Sequence, residues 1–188
     1  MELTNPLQVI GHELHHNYRS RIARALKPLG GDMLAWRLVT TELEGIAGLI
    51  DMADIPTLTR ESPAARYSIP RLFDYYVEYQ ADYRRSNQWL AWVESLLERA
   101  DAHPDSARAI GNRLAAVLPD NGRIIGAFMA STIVQRLGRE RLLQVVGDPF
   151  AFWRLYNEAA RQTRGEAHVL SEAAMRTIER VRRAYDGL

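Results

Sequence analysis

The chain contains no cysteine, which excludes disulfides, thiolate metal ligands and a cysteine nucleophile. It has no excess of charge: 24 Lys+Arg against 23 Asp+Glu leave a formal net charge of +1, too little for the electrostatic footprint of a nucleic-acid or anionic-membrane binder. Lysine is nearly missing, Lys27 being the only one, and the arginines that take its place are scattered rather than gathered into one stripe. No window approaches 18 uninterrupted apolar residues, so no membrane span is expected. The opening Met1-Glu2-Leu3-Thr4-Asn5-Pro6 lacks the basic and apolar regions of a secretion signal, and the chain as written is expected to be cytoplasmic. A Gly-x-Ser-x-Gly elbow, a phosphate-cradling glycine loop and strand-like alternation are also missing, which argues against an α/β hydrolase or a nucleotide-binding fold. What is present, 47% hydrophobic and 25% charged residues in 188, suffices for one globular domain with a sizeable core.

Helix punctuation accounts for most of the chain. Asn5-Pro6 is a cap and first-turn pair, predicting a helix over about 6–27, before Pro28 and Gly30-Gly31 stop it. Asp32 caps a second helix running to about 54, where Ile55-Pro56 ends it. Residues 57–68 read as a connecting loop with a short extended piece at 57–59. From Pro70 to about Ala102, apolar and aromatic residues recur at helical spacing, giving one long helix or two with a kink. Further helices are expected at 105–118, 122–137, 139–146, 149–163 with Asp148 as cap, and 171–185 with Ser171 as cap. With no repeat and no long linker, the expectation is a single all-α domain over 1–188, of about eight helices and without a substantial β-sheet.

The chemistry is concentrated in His12-Glu13-Leu14-His15-His16. Within a helix, residues four apart stand one turn apart on one face, so His12 and His16 can reach one metal ion, and Glu13 projects between them, where it can orient and deprotonate a metal-bound water. His15 is also spaced to share a face with His12, but the register of Glu13 favours His16, leaving His15 as an outer-face or supporting residue. A third ligand is needed. The second helix offers Glu42 and Glu44, about 160° apart on the wheel, so that both cannot face the same ion. Glu44 shares its face with Thr40, Thr41, Ala47, Gly48 and Asp51 and precedes Gly45, small residues that permit close approach to the first helix. Glu44 is therefore the favoured ligand, and Glu42 reads as a surface or ion-pair residue. On the first helix, Leu7, Ile10 and Leu14 fall opposite the ligands, as in a helix sandwiched within a core.

His12-Glu13-Leu14-His15-His16 followed by Glu44-Gly45-Ile46-Ala47 resembles the gluzincin branch of the zincin-like metallopeptidases. The stretches Ile124 to Ala130, Leu137 to Glu140, Asp148-Pro149 and Leu155 to Ala160 resemble, more narrowly, a bacterial family of zinc-dependent peptidases of unestablished function. The resemblance implies Zn²⁺ held by His12, His16 and Glu44, Glu13 as general base, and a peptide or protein substrate. Two departures stand out. Gluzincins often carry, four residues after the ligand glutamate, an aspartate that orients a ligand histidine. Gly48 occupies that position, and Asp51, one turn further on, is the candidate substitute. Such peptidases also usually place a β-sheet before the metal helix, whereas eleven residues precede His12. Two expectations follow: a minimal helical version, or a longer native protein with an N-terminal sheet-bearing region and an extracytoplasmic location. The oxyanion donor is not singled out among Tyr67, Tyr75, Tyr76, Tyr79, Tyr156 and His168. The rival reading is a catalytically inactive zincin-like helical domain serving interaction or regulation. A di-metal carboxylate bundle is excluded, because neither His103 nor His168 has a glutamate three residues before it.

Overall fold

The computed structural model describes residues 6–22, 32–52 and 70–186. Among the described residues there are nine α-helices and no strand: α1 (Pro6–Ile22), α2 (Met33–Asp51), α3 (Pro70–Arg84), α4 (Ser86–Ala102), α5 (Ala107–Val117), α6 (Arg123–Leu137), α7 (Arg139–Val145), α8 (Pro149–Arg161) and α9 (Glu172–Asp186), with 3₁₀ turns at Pro104–Ser106 and Pro119–Gly122. The all-α expectation holds, with one helix more than expected because the 70–102 segment is two helices, broken at Arg85. The loop and extended piece expected at 57–68, and the end of the first helix beyond residue 22, lie outside the described residues.

The caps follow from the sequence. The Asp32 carboxylate accepts from Leu34 N and Ala35 N, both at 3.0 Å, and that of Asp148 accepts from Ala151 N at 2.8 Å, with Pro149 in the first turn, where its missing N–H costs nothing. Ser171 Oγ accepts from Ala174 N. These bonds satisfy amides that the first turn of any helix leaves without partners.

Helix α2 runs through the middle, packed by α6, α5, α1 and α8. Leu34, Ala35, Leu38, Val39, Ile46 and Ala47 are all buried, and Trp153 of α8 donates its indole N–H to Leu38 O at 3.1 Å. Where α2 meets α6 the backbones touch: a Cβ on Gly45 would lie 2.4 Å from Gly126 Cα, and one on Gly126 would lie 2.1 Å from Thr41 O. A smaller cluster of Met52, Tyr76, Tyr79 and Ile124, with Tyr75 and Tyr83 against it, joins α3 to the same two helices. The tyrosines of α3 are thus packing residues, as their spacing suggests. At the far end, Asn157 of α8 bonds Leu170 through both its amide atoms, and Tyr156 donates to His168 O, fixing the chain before α9.

One expectation fails in α1, which is not sandwiched. It packs on α2, while Leu7 (73% exposed), Ile10, Leu14 (61%) and Tyr18 form an uncovered outer stripe. The helical wheel separates the two faces correctly, but periodicity cannot say which of them the tertiary fold covers.

Gly126→Ala is expected to lower stability by about 1–3 kcal/mol, the usual cost of overpacking a tight contact. Urea denaturation should rank it well above Gly165→Ala, where a positive φ of 97° adds strain but no atom lies within 4 Å of the new Cβ.

Candidate metal centre

The α1–α2 contact brings three ligand-type side chains together. His12 Nε2 and His16 Nε2 are 3.0 Å apart, His16 Nε2 is 3.7 Å from Glu44 Oε2, and one ligand atom from each of the three lies within 4.8 Å of the others. The imidazoles meet edge to face, with centroids 4.7 Å apart. A tetrahedral zinc with ligands at 2.0–2.1 Å would separate neighbouring ligand atoms by roughly 3.3 Å, a value the two measured separations bracket. Two ring nitrogens and a carboxylate oxygen converging on one point, in side chains that keep some access to solvent, form a donor set that fits a zinc ion. Glu13, the residue after His12, is exposed.

Behind the ligands runs a chain of polar contacts. His12 Nδ1 faces Asp51 Oδ2 at 3.3 Å, close enough to attract but not aligned as a hydrogen bond, and Nδ1 has no other partner. Asp51 Oδ2 accepts from Arg123 of α6 at 2.6 Å. Arg123 lies 3.7 Å from Asp120 Oδ2, which in turn accepts from Tyr75 OH at 3.0 Å. Burial works against the charge of Arg123, but the hydrogen bond and charge of Asp51 outweigh it and raise its pKa. Burial, then the Asp120 charge, raises the Tyr75 phenol well above its ordinary value, so Tyr75 remains a donor.

Gly48 is what gives Arg123 its path. A Cβ there would stand 3.2 Å from Arg123 Cγ and 3.3 Å from its Nε, so an aspartate at 48 and this arginine would compete for one space. The departure at Gly48 and the placement of Asp51 are two sides of one arrangement. Arg123 and Asp120 were missed as site residues, and Tyr75, named only among the candidates for an oxyanion donor, was not foreseen as a member of this chain of contacts. The available signal was Asp120-Asn121-Gly122, residue types that tolerate the left-handed region, where φ is 46°, 55° and 91° in turn.

The other expected residues separate clearly. Glu42 is not at the surface: it is 0% exposed and ion-paired with Arg19 of α1, itself 2% exposed, while its second oxygen accepts from Gly147 N at 3.2 Å. Burial raises its pKa, against the opposing pull of Arg19 and the Gly147 N–H. The ion-pair half of the expectation is correct. The surface half fails because the partner sits on α1, 23 residues away, out of reach of any local pattern. His15 stands outside the three-residue grouping. Burial, then the neighbouring His16, Arg19 and His12, pushes its pKa down to about 4, so it is neutral at pH 7. Of the aromatic and histidine candidates for an oxyanion donor, Tyr156 and His168 are occupied elsewhere, the latter 2.8 Å from Glu94, and Tyr67 lies outside the described residues. No described helix is long and apolar enough to cross a membrane.

Removing Glu42 leaves the Arg19 cation buried without its partner, so Glu42→Ala should cost about 3–5 kcal/mol. Glu44→Ala, at a half-exposed position, should change the stability of the metal-free protein by about 0.5 kcal/mol or less. Denaturation of the two variants side by side in the presence of a chelator checks the contrast.

Compared with known proteins, residues 2–165 match the family described as "putative zinc dependent peptidase (DUF5700)". No curated protein and no solved structure matches the chain.

Proposed function

The chain belongs to this zinc-dependent peptidase family, and from that premise we propose that it hydrolyses peptide bonds, with His12, His16 and Glu44 as zinc ligands and Glu13 as general base. The observation that carries the reading is the convergence of the three ligand atoms within 4.8 Å, with the Glu13 carboxylate one residue from the first ligand. A zinc ion bound there supplies Lewis acidity, which favours attack of water on an amide carbonyl.

The protein's own groups supply the rest. Glu13, exposed on the turn that carries His12, takes the proton of the attacking water and returns it to the leaving amine, the double role that a carboxylate near neutral pH can perform. His12 presents Nε2 towards the ligand point while Nδ1 faces Asp51, so the carboxylate favours a proton on Nδ1 and a free lone pair on Nε2. Arg123 holds Asp51 in place and offsets its charge, so that the carboxylate orients the imidazole without adding an uncompensated negative charge behind the site.

A second reading, a zinc-holding helical domain that binds partners without hydrolysis, draws on the exposed apolar stripe of α1. Glu13 separates the two, since a purely structural site gains nothing from a general base between its ligands.

Elemental mass spectrometry should find one zinc per chain, lost in His16→Ala and in Glu44→Ala. Glu13→Gln should keep its zinc and lose about 10²–10⁴-fold in turnover of a peptide library. Hydrolysis that survives this substitution would remove Glu13 from the mechanism, and an absence of zinc after incubation with the metal would remove the site.

Asp51→Ala should weaken zinc binding about 10–100-fold. Arg123→Met should act in the same direction although it touches no ligand, as read by competition with a chromophoric chelator.

A further inference from the structure

The α1–α2 contact has two flanks. Asp51, Gly48 and Glu44 line one, facing His12 and His16. The opposite side of α2 carries Ile46, Leu49 and Ile50, and there a second cavity of about 600 Å³ opens between α1, α2 and α7. That volume is in the range of small-molecule sites, about 300–1,000 Å³. Its walls are largely aliphatic, including Leu142 of α7 and Val146 just after it, together with His15 and Tyr18 of α1.

Two polar groups line this cavity, a buried one without a hydrogen-bond partner and an exposed cation without an acidic partner among the described residues. His15 is only 9% exposed, lines the cavity, and has no hydrogen-bond partner at Nε2. A buried imidazole nitrogen left in this condition is costly, and a ligand oxygen would satisfy it. Arg139, at the start of α7, also lines the cavity and has no acidic partner among the described residues, whereas Arg136 and Arg141 on either side pair with Glu166 and Glu158. One guanidinium, one potential N–H donor and otherwise aliphatic walls define the complement: a single carboxylate on an apolar body.

We propose that this cavity binds an aliphatic monocarboxylate, with the carboxylate accepting from Arg139 and from His15 Nε2–H and the chain lying against Ile46, Leu49 and Leu142. A peptide is disfavoured as occupant because each residue would bring a backbone N–H and C=O into walls that offer them few partners, and unpaired buried amides are costly. A multiply charged anion is disfavoured, because among the described lining residues Arg139 is the one cation. The occupant bridges α1 to α7, while α1 rests chiefly on α2. It therefore ties down the helix whose outer stripe is exposed, and a ligand that binds only the folded state raises its stability. The proposal does not rest on the zinc reading and is tested on the metal-free chain.

The test is isothermal titration and thermal melting of the full metal-free chain with sodium decanoate below its micelle-forming concentration. Controls are 1-decanol, which has the same tail without the charge, and N-acetyl-leucyl-leucine, a peptide carboxylate. Decanoate should bind saturably at one site and raise the melting temperature. Arg139→Gln should weaken it about tenfold or more, the size of one lost charge-assisted hydrogen bond, and decanol should bind more weakly and be indifferent to that substitution. Val134→Phe, which fills the cavity from its α6 wall, should abolish binding while a cooperative melt is retained. Absence of saturable binding would overturn the proposal. So would equal binding of acid and alcohol with no effect of Arg139→Gln, which would mark mere adsorption to apolar surface. Tighter, Arg139-dependent binding of N-acetyl-leucyl-leucine would overturn the aliphatic assignment and make a peptide carboxy terminus the occupant.

Discussion

The backbone contact between Gly45 on α2 and Gly126 on α6 is the constraint on which the candidate site depends. Any side chain at either position would collide with the other helix, so the two axes are held at a separation that only glycine allows. That separation places the first residue of α6, Arg123, beside Gly48, where its side chain can cross α2 and reach Asp51. Without the close approach, Asp51 would be a buried carboxylate lacking its cation, and His12 would lose a well-held neighbour at Nδ1. The His12–His16–Glu44 grouping is thus positioned from behind, by packing between two helices that carry only one of its members, Glu44.

On α1 the arrangement is different. Its outer stripe is exposed, so apolar burial on that side contributes nothing to holding it. What fixes it is the inner face: the Arg19–Glu42 pair, completed by Gly147 N–H, and the contact of Gly11 with Ile50. A buried ion pair is a poor source of net stability but a strong determinant of register, because a shift of one residue would leave both charges desolvated and unpaired. Register is what a shared metal site needs, since His12 and His16 meet Glu44 only when α1 lies at one height against α2. The two glutamates of α2 therefore divide the work by their 160° separation: Glu42 sets where α1 sits, and Glu44 faces the point that α1 brings to it.

Much of this could be read in the sequence, and the failures have physical causes. Helix existence and start points were legible because caps are local: Asp32, Asp148 and Ser171 each act on an amide two or three residues away. The histidine pair was legible because four-residue spacing in a helix is a fixed geometry. That Glu44 rather than Glu42 stands near the histidines was legible because small neighbours imply close approach. The Arg19–Glu42 pair and the Asp51–Arg123–Asp120–Tyr75 chain were not legible, because every step but the local Arg123–Asp120 one joins residues 23 to 72 apart that meet only through tertiary packing. The exposed face of α1 was misread for a related reason: amphipathicity shows that two faces differ, and only the fold shows which face is covered.

Gly48 and Asp51 differ from the spacing that the resemblance to gluzincins implies, and the packing around them gives the physical reason. An aspartate four residues after a ligand glutamate lies one turn along the same face and needs open space above α2. Here that space is filled by Arg123, and a carboxylate seven residues on, two turns along nearly the same line, reaches the histidine instead. The two positions are coupled: a side chain at 48 would crowd the present path of Arg123, whose Cγ and Nε stand 3.2 and 3.3 Å from where its Cβ would lie. In this chain one charge-compensated carboxylate stands at His12 Nδ1, supplied by Asp51 and held by Arg123.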